Sequence, residues 1–481
     1  MRWFRLLVAA FAALIGLSTL NAYAAGLVQL SSDPFTNNTS QHRTEVEPDT
    51  FAFGSTIVSA FQVGRFFNGG ASDIGFATSN DGGKTFTSGF LPGTTFQSTP
   101  ANLKYQRVSD PSVAFDARDN VWMISYLGIP PALVPVDVLT SRSTDGGLTW
   151  GQPVVITADG QFNDKNWTVC DNTGSSPHYG NCYTEFDDAS LSDLEQMSTS
   201  IDGGLTWGAA LETAQHLHGI GGQPLVQPNG TVIVPVGGFA SRGGDVNAFS
   251  SADGGASWGR TTRIADVTAH LVAGGLRNGL GLPTAEIDAS GKVYVVWPDC
   301  RFEPGCTAND LVLSTSTDGT NWSPVTRIPV DLIGSGVDHF IPGLAVNMAT
   351  SGASAQLALA FYFYPNASCT AATCQLEVGS STSADGGGSW TSNQQIAGPM
   401  SLSWLANTSQ GRMVGDYIST SFVGGPAFPA FAVANPPAGG VFDEAMYTVK
   451  GGLSVGRSNG AHDQLAIPSN GPDSGSNQTD Q

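Results

Sequence analysis

The chain has 481 residues, 60 of them Gly, and carries 40 acidic against 20 basic side chains for a formal net charge of −20. Charged residues make up 12% and hydrophobic ones 41%. The charged share is well below the usual ~25%, so coiled coils, helical bundles and wholesale disorder are excluded in favour of short strands joined by tight turns. So acidic a chain is also unsuited to nucleic acid, whose binders need basic surface.

Residues 1–24 read as a secretory signal, with Arg2 and Arg5 ahead of an apolar stretch and Ala22-Tyr23-Ala24 before Ala25 as the cleavage site. No later segment approaches the ~20 apolar residues of a membrane span. The mature protein is therefore expected to be secreted, extracellular or periplasmic, without a membrane span, and monomeric. Strand-like runs follow in pairs: Thr50–Phe53 with Thr56–Gln62, Val113–Phe115 with Val121–Leu127, and Trp167–Cys170 with Cys182–Phe186. Further along come 224–227 with 231–236, Thr284–Ile287 with Val293–Trp297, and 344–346 with 356–364. Their β-branched and aromatic content, bounded by turn residues, fits strands.

After each pair one phrase recurs: SNDGGKTF, STDGGLTW, SIDGGLTW, SADGGASW, the shortened STDGTNW, and SADGGGSW. Its aspartates are Asp81, Asp145, Asp202, Asp253, Asp318 and Asp385. Ser and Asp side chains can bond to the backbone of a tight turn, Gly supplies positive φ, and the closing aromatic buries apolar surface. These aspartates are expected to be structural. A final set, 417–422, 427–433 and 445–449, lacks the phrase, and 27–31 resembles the strand that follows the phrase elsewhere. Six cysteines lie as close pairs, Cys170 with Cys182, Cys300 with Cys306, and Cys369 with Cys374. Several pairings are formally open, and closeness in sequence favours three local disulfides.

The repeated phrase resembles the Asp-box (BNR repeat) of the sialidase-like, neuraminidase-superfamily propellers of secreted bacterial type. The resemblance implies an all-β fold, a β-propeller of four-stranded antiparallel blades over 25–457. The Ser-, Gly-, Asn- and Asp-rich tail from 458 to 481 is expected to be disordered. Seven blades are expected, the ring being closed by the N-terminal strand. Six blades with an extra C-terminal element is the alternative.

In such a fold the inner-strand starts and neighbouring loops surround one channel mouth. They would bring Glu47, Asp49, Asp110, Asp164, Asp338, His339, Asp416 and Tyr417 together with Arg65, Glu185, Asp187, Asp188, Asp299 and Arg301. Paired carboxyl groups in different environments suit glycosidic chemistry, and Arg can hold a substrate carboxylate. In sialidases a Tyr assisted by Glu is the nucleophile, an Asp is the acid/base, and three Arg grip the substrate. The resemblance implies Tyr417, Asp416, Asp299, Asp164 and Glu47 as catalytic candidates. It implies Arg65, Arg301, Arg412, Asp338, His339 and Trp297 as substrate-binding ones. The Arg-Ile-Pro signature of sialidases is absent before the first repeat. No zinc-like spacing occurs, so no cofactor or metal is expected; calcium would find oxygen ligands, but no motif places it. The sequence reads as a secreted glycan-active enzyme with a carbohydrate substrate, or alternatively as a non-catalytic glycan- or protein-binding propeller.

Overall fold

The computed structural model describes residues 26–238, 244–278, 282–456 and 466–467. The secretory-signal segment and most of the expected C-terminal tail lie outside them. Two tail residues, Ala466–Ile467, pair with Val325–Arg327 as an added edge strand. No α-helix occurs among the described residues, and no helix is long and apolar enough to cross a membrane.

The protein is all-β, a propeller-like series of four-stranded antiparallel sheets. The first holds Glu45–Phe53, Thr56–Arg65, Ala71–Ser79 and Thr87–Phe90. The second holds Arg107–Asp116, Val121–Ile129, Asp137–Ser143 and Val154–Thr157, bridged to the first at Ala71 and Val108. Asn163–Cys170, Cys182–Asp188, Leu194–Ser200 and Leu211–Glu212 form the third. In the fourth, Gly219–Ile220 and Leu225–Val226 both pair with Val232–Gly238, followed by Asp245–Ser251 and Thr262–Asp266. The fifth is Thr284–Ile287, Val293–Asp299, Asp310–Ser316 and Val325–Arg327; the sixth is Asp338–Val346, Leu357–Tyr364, Gln375–Ser383 and Gln394–Ser401. In the last, Ser419–Phe422, Ala427–Ala434 and Glu444–Val449 are followed by Leu27–Gln29, so the first described strand completes the sheet of the 444–449 strand.

The six repeated turns join third to fourth strands and are pinned by their own side chains. In the second, Ser143 Oγ donates to Asp145 Oδ1 at 2.8 Å, and Asp145 accepts from the amides of Leu148 and Thr149 at 3.1 and 2.9 Å and from Thr149 Oγ1 at 2.6 Å. In the shortened turn Asn321 Nδ2 takes the place of the Thr hydroxyl, donating to Asp318 at 2.7 Å. Gly146 and Gly147 adopt φ of 80° and 79°, which a side chain would strain. The closing Trp150, Trp258 and Trp390 are buried between sheets, while Phe86, Trp207 and Trp322 are half-buried. The three expected disulfides are formed.

The inner strands begin earlier than their sequence runs indicate. Pro48, Pro111 and Pro342 interrupt the pattern, yet each sits at a β-bulge where the register shifts and no ladder bond is needed. A fourth bulge lies between Asp164 and Trp167. The bulges place Glu47, Asp110, Lys165 and Ile341 at φ of 55°, 50°, 37° and 51°. Non-glycine residues rarely adopt this region, and here it turns the side chains out of the strand alternation.

Neighbouring inner segments do not share a ladder; polar side chains link them instead. Asp49 accepts from Val113 N (2.7 Å), Ser112 from Thr168 N (3.1 Å) and Gln223 from Ala285 N (2.7 Å), while between the third and fourth sheets Glu185, on the second strand, accepts from Gly222 N (3.2 Å). Thr284 accepts from Leu344 N (3.2 Å), Thr420 donates to Gly343 O (2.9 Å) and Ser421 to Thr50 O (2.8 Å). Residues from all of these segments, among them Asp49, Val113, Trp167, Gln223, Glu286, Leu344 and Ser419, line one common cavity.

Candidate active site

The strand register fixes the ends of the sheets. Glu47 and Arg65 lie at one end of the first sheet, and the repeated turn at Asp81 lies at the other, beside the Phe53–Thr56 hairpin. The bulge residues therefore sit at the end away from the repeated turns. Gln62 donates to Glu47 and to Ser109 Oγ (3.1 Å), and Arg65 Nη1 donates to Gln62 Oε1 at 3.0 Å. From the irregular segment before the fifth sheet, Arg277 grips Asp416 through two N–H donors, Nε at 2.8 Å and Nη2. Arg277 is held in turn by its own amide, which donates to Arg412 O at 2.7 Å.

These groups form one electrostatic cluster. Burial raises the Glu47 carboxyl well above its usual value; the charges of Asp110 and Asp416 add to this, and Arg65 and Arg277 oppose it. Burial and the Asp110 charge push Asp164 up to about 7. Burial opposes the charge on Arg277, but the carboxylates of Asp416, Glu47 and Asp110 prevail and hold it above the usual guanidinium range. Arg65, 2% exposed, is lowered mainly by burial. Deeper in the third sheet burial pushes Glu185 to about 8 and raises Asp187 and Glu195 well above the usual carboxyl range. The cluster thus sets carboxyls raised by burial beside an arginine–carboxylate ion pair. General acid–base chemistry needs that combination.

Tyr417 is buried beside this cluster. Its hydroxyl donates to Pro111 O at 3.3 Å, and burial, followed by the carboxylates around it, raises its pKa well above the usual phenol value. Lys165 Nζ lies 3.8 Å from the Tyr417 ring centroid and 4.5 Å from that of Trp167, a cation held between two aromatic faces. The side chains of Asp416 and Arg277 are 12% and 24% exposed.

Of the sequence candidates, Glu47, Asp164, Asp416, Tyr417 and Arg65 come together here. Asp299 and Arg301 do not join them: Arg301 donates to Asp299 through Nε and Nη2, at 2.9 and 2.7 Å, and also to Asp266 O. Asp299 also accepts from Thr268 N and from Trp297 Nε1, at 3.2 and 3.3 Å, so this pair serves to close its own loop. Trp297 is fully buried between the fourth and fifth sheets and has no free face for a sugar. Arg412 directs Nη1 to Leu405 O at 2.9 Å and supports the site only through its backbone. Asp338 and His339 belong to a separate group on the sixth sheet, where Asp338 accepts from Asn309 N and Nδ2 (2.8 and 2.9 Å) and faces His270. Sequence reasoning missed Arg277, Lys165 and Gln62, and it placed Asp110 at the mouth without naming it among the catalytic candidates. The Glu47-Pro48 and Asp110-Pro111 pairs at equivalent strand positions were the available signal for Asp110.

No family model and no curated protein sequence matches the chain. Among solved structures, a polysaccharide lyase described as an ulvanlyase, bound to GlcA(1-4)Rha3S, is 11% identical with a TM-score of 0.52. That alignment covers 90% of this chain and 96% of the other. A Trypanosoma rangeli sialidase in complex with sialic acid covers 86% of this chain and 69% of its own at 13% identity and a TM-score of 0.45. A Dyadobacter fermentans protein of unknown function covers 75% and 99% at 16% identity and a TM-score of 0.47. At such identities the likeness is one of fold, and the ulvanlyase alignment, over nine-tenths of the chain, supports the propeller-like arrangement of the sheets.

Proposed function

We propose that the chain is a secreted glycan-active enzyme that hydrolyses glycosidic bonds at the channel mouth of a seven-bladed Asp-box propeller closed by its N-terminal strand. The ring is supported by side-chain bonds that link each sheet to the next, inner segment to inner segment except where Glu185 of the second strand reaches Gly222, and that return from Ser421 to Thr50. The activity rests on one observation: Glu47 and Asp110 on strained bulges, and Asp164 beside another, gather with Asp416, Arg65 and Arg277 at the sheet ends away from the repeated turns. Backbone strain and perturbed carboxyls cluster at functional sites.

Asp164 is the proton donor to the leaving oxygen, since its pKa of about 7 keeps it substantially protonated at neutral pH. Asp416, oriented by both donors of Arg277, supplies the opposing carboxylate. Tyr417 is less suited to the nucleophile role its family resemblance implies, because the phenol is bonded to a carbonyl and its pKa is raised. Fold alone hosts many functions, so a non-catalytic glycan-binding propeller is the second reading. The engaged hydroxyl of Tyr417, which leaves no free nucleophile of the family type, favours it.

A panel of sialosides and of plant and bacterial polysaccharides separates the two, with released saccharide followed by mass spectrometry. The expected result is release from at least one substrate by the wild type, with kcat/KM lowered at least about 100-fold in Arg277→Ala. Glycan binding without release of any product by the wild type refutes the enzyme reading.

A further inference from the structure

Outside this site, the junction of the fifth and sixth sheets gathers Asp310, Asp331 and His339, with one donor atom from each lying within 4.8 Å of the others. Arg327 already spans the two carboxylates, donating to Asp310 Oδ1 at 2.7 Å and to Asp331 Oδ1 at 2.6 Å. What this pairing leaves is informative. Asp310 Oδ2 and His339 Nε2 are both buried and without a hydrogen-bond partner, on side chains that are 1% and 0% exposed. His339 Nδ1 faces Asn309 O at 3.1 Å, and a carbonyl oxygen can only accept, so Nδ1 carries the proton and Nε2 presents a lone pair. Arg327 does not reach this lone pair, which is buried with no donor of its own.

We infer that Asp310, Asp331 and His339 form a binding site for a divalent transition-metal ion of the zinc type, with Asp310 Oδ2, an Asp331 oxygen and His339 Nε2 as ligands and water completing the shell. One imidazole and two carboxylates suit such an ion better than calcium or magnesium, which take all-oxygen sets. The surroundings fit a ligating histidine. Its other ring nitrogen is bonded to a backbone carbonyl, and Phe361 and Phe363 flank the ring at 5.4 and 6.2 Å. Asp331 is the one half-buried ligand and gives the ion its path from solvent. Bound there, the ion ties the fifth sheet to the sixth. It also stiffens Asn309, whose side chain holds the His270 backbone through two bonds at 2.7 and 2.9 Å, on the segment that carries Arg277.

The test uses the full chain without an affinity tag, stripped with a chelator and titrated with Co2+ as a spectroscopic probe and with Zn2+ by calorimetry. The expected result is one ion per chain, a visible Co2+ ligand-field spectrum, at least a tenfold weaker affinity in Asp331→Asn, and loss of the spectrum in His339→Gln. Circular dichroism checks that both variants are folded. If His339→Gln does not fold, Asp331→Asn decides alone, since its side chain is partly exposed. Absence of saturable one-to-one binding overturns the site, as does affinity within twofold of wild type in the folded variants.

Discussion

Asp164 makes two measurable consequences run in opposite directions. Its carboxyl is pushed up from 3.8 to about 7, chiefly by burial and then by Asp110. The folded state therefore holds this proton more tightly than the unfolded chain does. Between about pH 4 and 7 the native protein binds more protons, so stability from this group is full below the unfolded value and is lost as pH rises through 7. A rise of that size corresponds to at most about 4 kcal/mol. Asp164→Asn removes the titration but keeps an oxygen to accept the Lys165 amide, now bonded at 2.9 Å. The variant is expected to gain up to about 4 kcal/mol over wild type at pH 8, with the gain shrinking towards pH 4. Loss of the proton donor should meanwhile lower kcat by about 100- to 10,000-fold. Urea unfolding midpoints at pH 5 and 8, beside turnover on the substrate found in the panel, measure both. A variant that is destabilised equally at both pH values, or one with unchanged turnover, refutes the reasoning.

Two further outcomes follow from the scaffold. Asp145→Ala removes the acceptor of four bonds at an exposed turn and should cost about 1–2 kcal/mol in a denaturant midpoint while leaving kcat unchanged. A larger effect on turnover than on stability would contradict its structural role. Deleting residues 26–31 removes the Leu27–Gln29 strand, the buried Leu30 and the Ser31–Glu45 bond, at a cost of about 5 kcal/mol, read by calorimetry. A truncated protein as stable as wild type would contradict closure by that strand.

The six turns were legible because all their bonds are local: Ser, Asp, Gly and the closing aromatic lie within eight residues, so the phrase carries its own structure. The pairing of 27–29 with the last strand was also readable, since the final sheet lacked one strand and one unassigned strand remained. The site was less so. Arg277 comes from an irregular segment with no repeat phrase, and its partner Asp416 is 139 residues away. Prolines at 48, 111 and 342 hid the starts of the inner strands, because the bulges that tolerate them depend on the neighbouring strand. Asp299 and Arg301 stood at the expected sheet end, but a two-residue spacing let them satisfy each other. Trp297 could not be assigned without knowing which face of its strand meets the adjoining sheet.

The strand at 27–29 also sets an order of events. Its partner, 447–449, is made some 420 residues later. At about 5–20 residues per second this is a wait of about 20–80 s. During that interval Leu27 to Leu30 is an apolar edge without a companion, and the last sheet cannot form in the growing chain. The closing sheet thus cannot be completed until 444–449 has been made, however the earlier sheets form. Joining the two ends by a short linker and opening the chain at an exposed hairpin such as 228–230 would move that step to a different sheet. It would also place the 27–29 and 444–449 strands next to each other in synthesis, shortening the wait to seconds.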